Sequence, residues 1–194
     1  MDFGFLVKRV SAILRRPREE WEIIKKEKTT IENLFARYAV ILAAIPAAAQ
    51  FVGFAIFGRP TLEGYVPVSA AENARWTIVS YALSLASVYL LAYFIDSLAP
   101  YFKAKKDLLA VMKVVVYSHT ASWAASVFLV FPPLFLAAGL LSLYSLFLLY
   151  TGMKSLLGVP ARRMTGYFAA AILASIVISL GGLLVGGVLL GSAA

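Results

Sequence analysis

The chain has 194 residues, of which 61% are hydrophobic and 14% charged, with a formal net charge of +8 at pH 7 and no cysteine; its mean hydropathy is +0.84. A chain this apolar and this short holds one membrane domain and leaves no room for a second. The lack of cysteine excludes disulfide frameworks, thiolate metal sites and cysteine nucleophiles, and the positive charge sits beside apolar runs rather than on a water-soluble face, which points to a membrane surface and away from nucleic acid.

Residues 1–33 read as a cytoplasmic amphipathic segment and residues 34–194 as a five-helix transmembrane domain, an all-α polytopic fold. From Phe3 to Leu14, the side chains of Phe3, Leu6, Val7, Val10, Ile13 and Leu14 share one helical face, and Lys8, Arg9, Arg15 and Arg16 make a basic face opposite. Such a helix has two resting places. It can lie in the membrane interface with its basic face toward anionic headgroups, each cation contributing about 1 kcal/mol, or pack its apolar face on the cytoplasmic ends of the spans. The same four cations interrupt any signal-peptide core, so the N-terminus is expected to be retained. Pro17 suits the first turn of a second short helix, with Glu19 and Glu20 at the positive end of its dipole and Trp21 and Ile24 on its apolar side. Thr29 and Glu32 form a capping-box pattern that predicts a new helix just ahead of the first span.

Five apolar runs follow, Leu34 to Phe57, Trp76 to Leu98, Leu108 to Phe131, Leu134 to Thr151 and Tyr167 to Leu190, each near the length a helix needs to cross a hydrocarbon core of ~30 Å. Pro46 is expected to bend the first, and Gln50 one turn later needs a polar partner in lipid. The connection from Gly58 to Arg75, with Pro60, Gly64, Pro67 and Asn73, reads as an external loop, and Pro132-Pro133 as a tight external hairpin. Basic residues crowd ahead of the first span, between the second and third (Lys103, Lys105, Lys106) and between the fourth and fifth (Lys154, Arg162, Arg163), whereas the other two connections carry only Arg59 and Arg75. The positive-inside rule then predicts a cytoplasmic N-terminus and an external C-terminus, as an odd number of spans requires. On the fifth span, Ala171, Ser175, Ser179, Gly182 and Gly186 form a stripe of small residues, and Gly187 and Gly191 repeat the spacing on a neighbouring face. Stripes of this kind serve packing within a bundle or a homo-oligomer seam.

Ionisable groups at membrane depth are candidates for function because they are costly. Here they are Asp96, Lys113 and His119, with Gln50 and Tyr117 nearby as polar companions. A short connection joins the second and third spans, so an Asp96–Lys113 pair is geometrically reasonable; the competing reading wets Asp96 with headgroups and lets Lys113 snorkel. His119 could relay protons or hold an interhelical hydrogen bond. One histidine and no cysteine make a metal shell improbable by composition. Neither a nucleophile elbow nor a phosphate-binding glycine loop accompanies Ser118, Ser122, His119 and Asp96, so no enzymatic activity and no cofactor are expected.

The block Pro17-Arg18-Glu19-Glu20-Trp21-Glu22-Ile23-Ile24, then Glu27, Tyr38, Ile45-Pro46 and Gly53, resembles the opening of prokaryotic members of the Yip domain family, named for Ypt/Rab-interacting proteins. Lys113 with Tyr117-Ser118, Pro132-Pro133, Tyr144 through Tyr150 and Gly152-Met153 resembles that family's third and fourth spans. The resemblance covers about residues 14 to 190 and implies a five-span fold with a cytoplasmic N-terminus in a prokaryotic plasma (inner) membrane. Eukaryotic relatives act with small GTPases in vesicle traffic and shape membranes; their acidic Asp-Leu-Tyr-Gly-Pro type of motif is absent here, so GTPase binding does not carry over. The expected role is a non-enzymatic organiser of the bilayer, with anionic lipids, proteins or a second copy as partners. The alternative is a small oligomeric transporter or permeation unit for an ion or lipid, with Asp96, Lys113, His119 and Gln50 as its polar track.

Overall fold

The computed structural model describes residues 3–61 and 63–191, apart from the side chains of Phe3 and Pro132; the expected place of Phe3 on the apolar face of the first helix therefore lies outside the description. Two short helices, α1 (Phe3–Arg15) and α2 (Pro17–Lys26), precede five helical stretches long and apolar enough to span a membrane. These spans are Ile31–Phe57, Ala70–Phe102, Leu108–Val130, Phe135–Leu156 and Ala161–Leu190. The fold is thus all-α and polytopic, as hydropathy predicts.

Local chemistry sets where the helices begin. Pro17 occupies the first turn of α2, where its missing N–H costs nothing. The first span is capped one residue later than expected, by Thr30, whose hydroxyl accepts from the Asn33 N–H at 3.2 Å; Thr29 instead donates to the Thr30 carbonyl. A π-type turn at Phe35–Ala39 interrupts this span before it continues through Pro46. The connection between the first and second spans is shorter than the sequence suggests. A two-stranded hairpin, β1 (Arg59–Thr61) and β2 (Gly64–Val66), takes its place, and the second helix begins at Ala70, so Asn73 and Arg75 are helical. Ser69 caps that helix by accepting from the Glu72 N–H at 3.1 Å. Gly58 enters the hairpin at φ 85°, with the Val66 carbonyl so close that a Cβ would lie 2.6 Å from it.

The third span is the hub of the bundle. Buried residues make up 67% of it, against 11% of the fifth, and Val111 through Tyr117 are essentially without exposure. Around it, Leu173, Val177, Leu184 and Val188 of the fifth span and Leu136 and Leu140 of the fourth present an exposed apolar surface, which acyl chains solvate and water does not. The small-residue stripe of the fifth span faces the second: a Cβ on Gly186 would touch Leu83 at 3.4 Å and one on Gly182 would lie 3.8 Å from the Ser87 hydroxyl. The stripe thus faces the second span, in contact at Gly186 and along an open groove at Ser175, Ser179 and Gly182. Gly191 ends the helix in the left-handed region at φ 67°.

At the end of the bundle that carries α1 and α2, polar bonds tie the connections together. The Asp107 N–H donates to the Asp96 carboxylate at 2.9 Å, and Asp107 in turn caps the third span by accepting from the Ala110 N–H. Tyr167 donates to the Ile95 carbonyl at 2.6 Å, and Arg163 to the Tyr101 carbonyl at 2.5 Å.

Candidate functional site

The helices α1 and α2 do not float beside the bundle; they are part of its core. Leu6 and Ile13 of α1 and Trp21 and Ile24 of α2 join one continuous apolar cluster with the spans. Between Leu6 and Ile13, at helical spacing, stands Arg9, and it is buried with them at 7% exposure. The basic face inferred from sequence therefore divides: Lys8, Arg15 and Arg16 are exposed, whereas Arg9 is turned inward. Its guanidinium forks between two carboxylates, Glu20 of α2 and Glu27 of the following linker, the latter at 2.8 Å. A planar fork suits two separate acceptors in a way an ammonium cannot.

Lys113 closes the site from the third span. Its Nζ donates to the carbonyls of Ile24 (3.0 Å) and of the C-cap residue Glu27 (2.6 Å), at the C-terminal end of α2, where the Ile24 carbonyl also accepts from the Glu27 N–H. A cation at this pole of a helix is favourable both as a donor and toward the dipole. Tyr117, one turn further along, points its hydroxyl at the Glu27 carboxylate (3.3 Å) and its ring toward the Arg9 guanidinium, 5.4 Å from the centroid. Tyr38 of the first span meets the Tyr117 ring edge-on at 4.7 Å and shares a 2.8 Å hydrogen bond with the Thr120 hydroxyl. The two cations and two carboxylates balance, which is what burial of such a group requires.

On the other side of α2, Trp21 lies flat over the fourth span. Its indole N–H donates to the Thr151 hydroxyl at 3.0 Å, and a Cβ on Gly152 would come within 2.7 Å of the ring. Only a glycine lets the indole sit this close. Tyr144 donates to the Leu14 carbonyl, and Ser155 to the Glu22 carboxylate at 2.7 Å. The chemistry of the site is that of a dock: its hydrogen bonds and ion pairs hold two helices against the spans.

The remaining polar residues proposed from sequence are dispersed. Asp96 bonds the Asp107 backbone and Lys113 the end of α2, so among the described residues these two form no pair. The buried Lys113 does not snorkel; it is held by carbonyls. Gln50 accepts from the Ser80 hydroxyl at 3.2 Å, far along the first span. His119 bonds back to the Val115 carbonyl of its own helix at 2.8 Å, so the expected interhelical bond is replaced by an intrahelical one. Ser118 and Ser122 likewise spend their hydroxyls on the carbonyls of Val114 and His119.

The residues that define the dock, Pro17, Trp21, Ile24, Glu27, Tyr38, Lys113, Tyr117, Tyr144 and Gly152, are scattered along the chain yet meet in one place. The model of the Yip1 domain matches residues 11–183. The chain belongs to the Yip1 domain family. Among curated proteins it is similar to the inner membrane protein YohC of Escherichia coli strain K12, 25% identical over 153 residues that span 78% of this chain and 77% of that protein. YohC of E. coli O6:H1 strain CFT073 matches to the same extent. No solved structure matches the chain. Many of the residues that carry the resemblance, Trp21, Ile24, Glu27, Tyr38, Lys113, Tyr117, Tyr144 and Gly152, are contacts by which the N-terminal helices seat on the first, third and fourth spans, whereas Gly53 packs on the Leu129 carbonyl, away from the dock. Arg9 and Thr151 belong to that seat and lie outside the residues that carry the resemblance. The signal for the first was present, since Leu6, Arg9 and Ile13 lie on one helical stripe.

Proposed function

We propose that this Yip1-domain protein is a non-enzymatic, multi-pass organiser of a prokaryotic inner membrane, with its N-terminus in the cytoplasm and its C-terminus outside. It works by holding a rigid basic platform against anionic headgroups. The orientation rests on the bias of lysine and arginine toward the connections that surround the dock, and the membrane on the five spans and the likeness to an inner membrane protein. One observation carries the functional reading. With Arg9 spent inside on two glutamates, the other cations of α1, α2 and the Arg16 junction between them, namely Lys8, Arg15, Arg16, Arg18, Lys25 and Lys26, are exposed, as are the apolar side chains of Val7 and Ile23 on the same helices. Cations next to apolar side chains on docked helices suit a headgroup layer.

A transport track would need Gln50, Asp96, Lys113 and His119 to face one shared space, and their separate partners favour the organiser instead. Reversing charge at Lys8, Arg15 and Arg16 together (each to Glu) tests the platform. These side chains are exposed, so the thermal midpoint should hold. Recruitment of phosphatidylglycerol around the protein, read by a headgroup-labelled lipid in mixed vesicles, should fall by roughly ten-fold or more if each cation contributes about 1 kcal/mol. Unchanged enrichment with an intact fold would refute the platform.

A further inference from the structure

A second feature lies away from the dock, at mid-membrane depth. A cavity of about 430 Å³ opens between the second and fifth spans, with Trp76, Ser84, Ser87, His119, Ser175 and Ser179 in its lining. Ser84 is the middle residue of the helix Ala70–Leu98, His119 the middle of the span Leu108–Val130, and Ser175 stands at the middle of Ala161–Leu190. Three polar residues from three helices thus meet at the depth where hydrogen-bonding solvent is scarcest. Leu183 and Ser179 in the same lining are exposed, so the cavity opens toward the acyl chains.

Its polar groups are only partly satisfied from within. Ser175 donates to the Ile172 carbonyl, but the hydroxyls of Ser84, Ser87 and Ser179 make no hydrogen bond to the described residues. His119 places Nδ1 against the Val115 carbonyl, which can only accept; that nitrogen carries the proton and Nε2 is left as an acceptor. The lining contains no ionisable side chain other than His119. Two inner hydroxyl donors, a third at the exposed rim (Ser179) and one imidazole acceptor, set in apolar walls with an indole at one side, describe a small number of placed polar groups in a pocket of ligand size. A hydrocarbon tail would fill the space and leave the hydroxyls unpaired, and an ion would find no counter-charge.

We propose that this groove binds an uncharged, lipid-soluble ring compound bearing carbonyl or hydroxyl oxygens, of the isoprenoid-quinone class. Its ring oxygens accept from Ser84 and Ser87 and its hydroxyl, in the reduced form, donates to His119; the tail leaves past Leu183 into lipid. Binding alone is proposed, with no electron transfer.

The test uses the full chain in lipid nanodiscs, photolabelled with an azido-benzoquinone carrying a decyl tail, with labelled peptides located by mass spectrometry. The expected label falls on residues 76–91 and 175–186 and is competed by unlabelled decyl-benzoquinone. Labelling drops about five-fold or more in Ser84→Ala/Ser87→Ala and in His119→Phe, the scale of one or two lost hydrogen bonds. Gly182→Leu, whose Cβ meets the Ser87 hydroxyl at an ordinary 3.8 Å, should fill the groove and abolish the label with the fold intact. Label spread over lipid-facing side chains such as Leu173 and Val177, or unaffected by competitor and by all three variants, overturns the proposal and leaves lipid tails as the occupant.

Discussion

Arg9→Ala should lower the thermal midpoint of the detergent-solubilised protein by roughly 10 °C, on the scale of the ~3–5 kcal/mol lost when one partner of a buried charge group is removed. The reason is the carboxylate left behind. Glu20 is 8% exposed and its described ion-pair partner is Arg9, so truncating the guanidinium strands a buried negative charge. Glu27 suffers less, because Tyr117 still reaches it and Lys113 stands next to its backbone. Arg9→Lys should recover little, since a single ammonium cannot span both acceptors. Arg9→Met combined with Glu20→Gln should recover much of the loss, because it removes the stranded charge along with its partner. Midpoints read by circular dichroism across the three variants check this order; a stable Arg9→Ala would place the side chain in water or headgroups.

Trp21→Ala should cost a similar ~3–5 kcal/mol, the usual scale for emptying a buried indole site. The ring is 1% exposed, lies on Gly152, and meets Tyr117 edge-on at 6.4 Å. No neighbour can collapse into the vacancy without lifting α2 from the fourth span. Trp21→Phe keeps much of the apolar contact and gives up the bond to Thr151, a loss of about 1 kcal/mol. Limited trypsinolysis separates the two. Cleavage after Arg15 and Lys25, both exposed, should accelerate strongly in Trp21→Ala, as opening of the docked pair becomes common, and only slightly in Trp21→Phe. Equal cleavage in wild type and Trp21→Ala would mean that the indole does not hold the dock.

Hydropathy was sufficient for the architecture because a bilayer imposes length and apolarity on each span separately, and neither property depends on tertiary contacts. Pro17 at the start of α2 and the burial of Trp21 and Ile24 were legible for the same reason: they are local or periodic. What hydropathy hides is which polar residues go inside. An arginine scores as wet wherever it stands, so hydropathy groups Arg9 with Lys8, although the stripe Leu6, Arg9 and Ile13 carries it inward to Glu20 on α2 and Glu27 just after it. Proximity along the chain likewise favoured an Asp96–Lys113 pair. The carbonyls at the end of α2 and the N–H of Asp107, which take these charges instead, are backbone groups with no signature in side-chain chemistry. The helix start at Ala70 was recoverable from the Ser69 and Glu72 spacing, but Pro67 and Asn73 nearby have the composition of a loop.

The seating of α2 against the fourth span is measurable in native membranes, because the chain has no cysteine of its own. Glu22→Cys and Ser155→Cys replace two surface residues whose side chains touch at 2.7 Å. A short bis-maleimide should join the pair within one chain in high yield, at low protein concentration and without detergent. If both thiols react singly with maleimide yet never crosslink within a chain, α2 is not docked, and the reading of the Yip1 motifs as a seat for the N-terminal helices is contradicted.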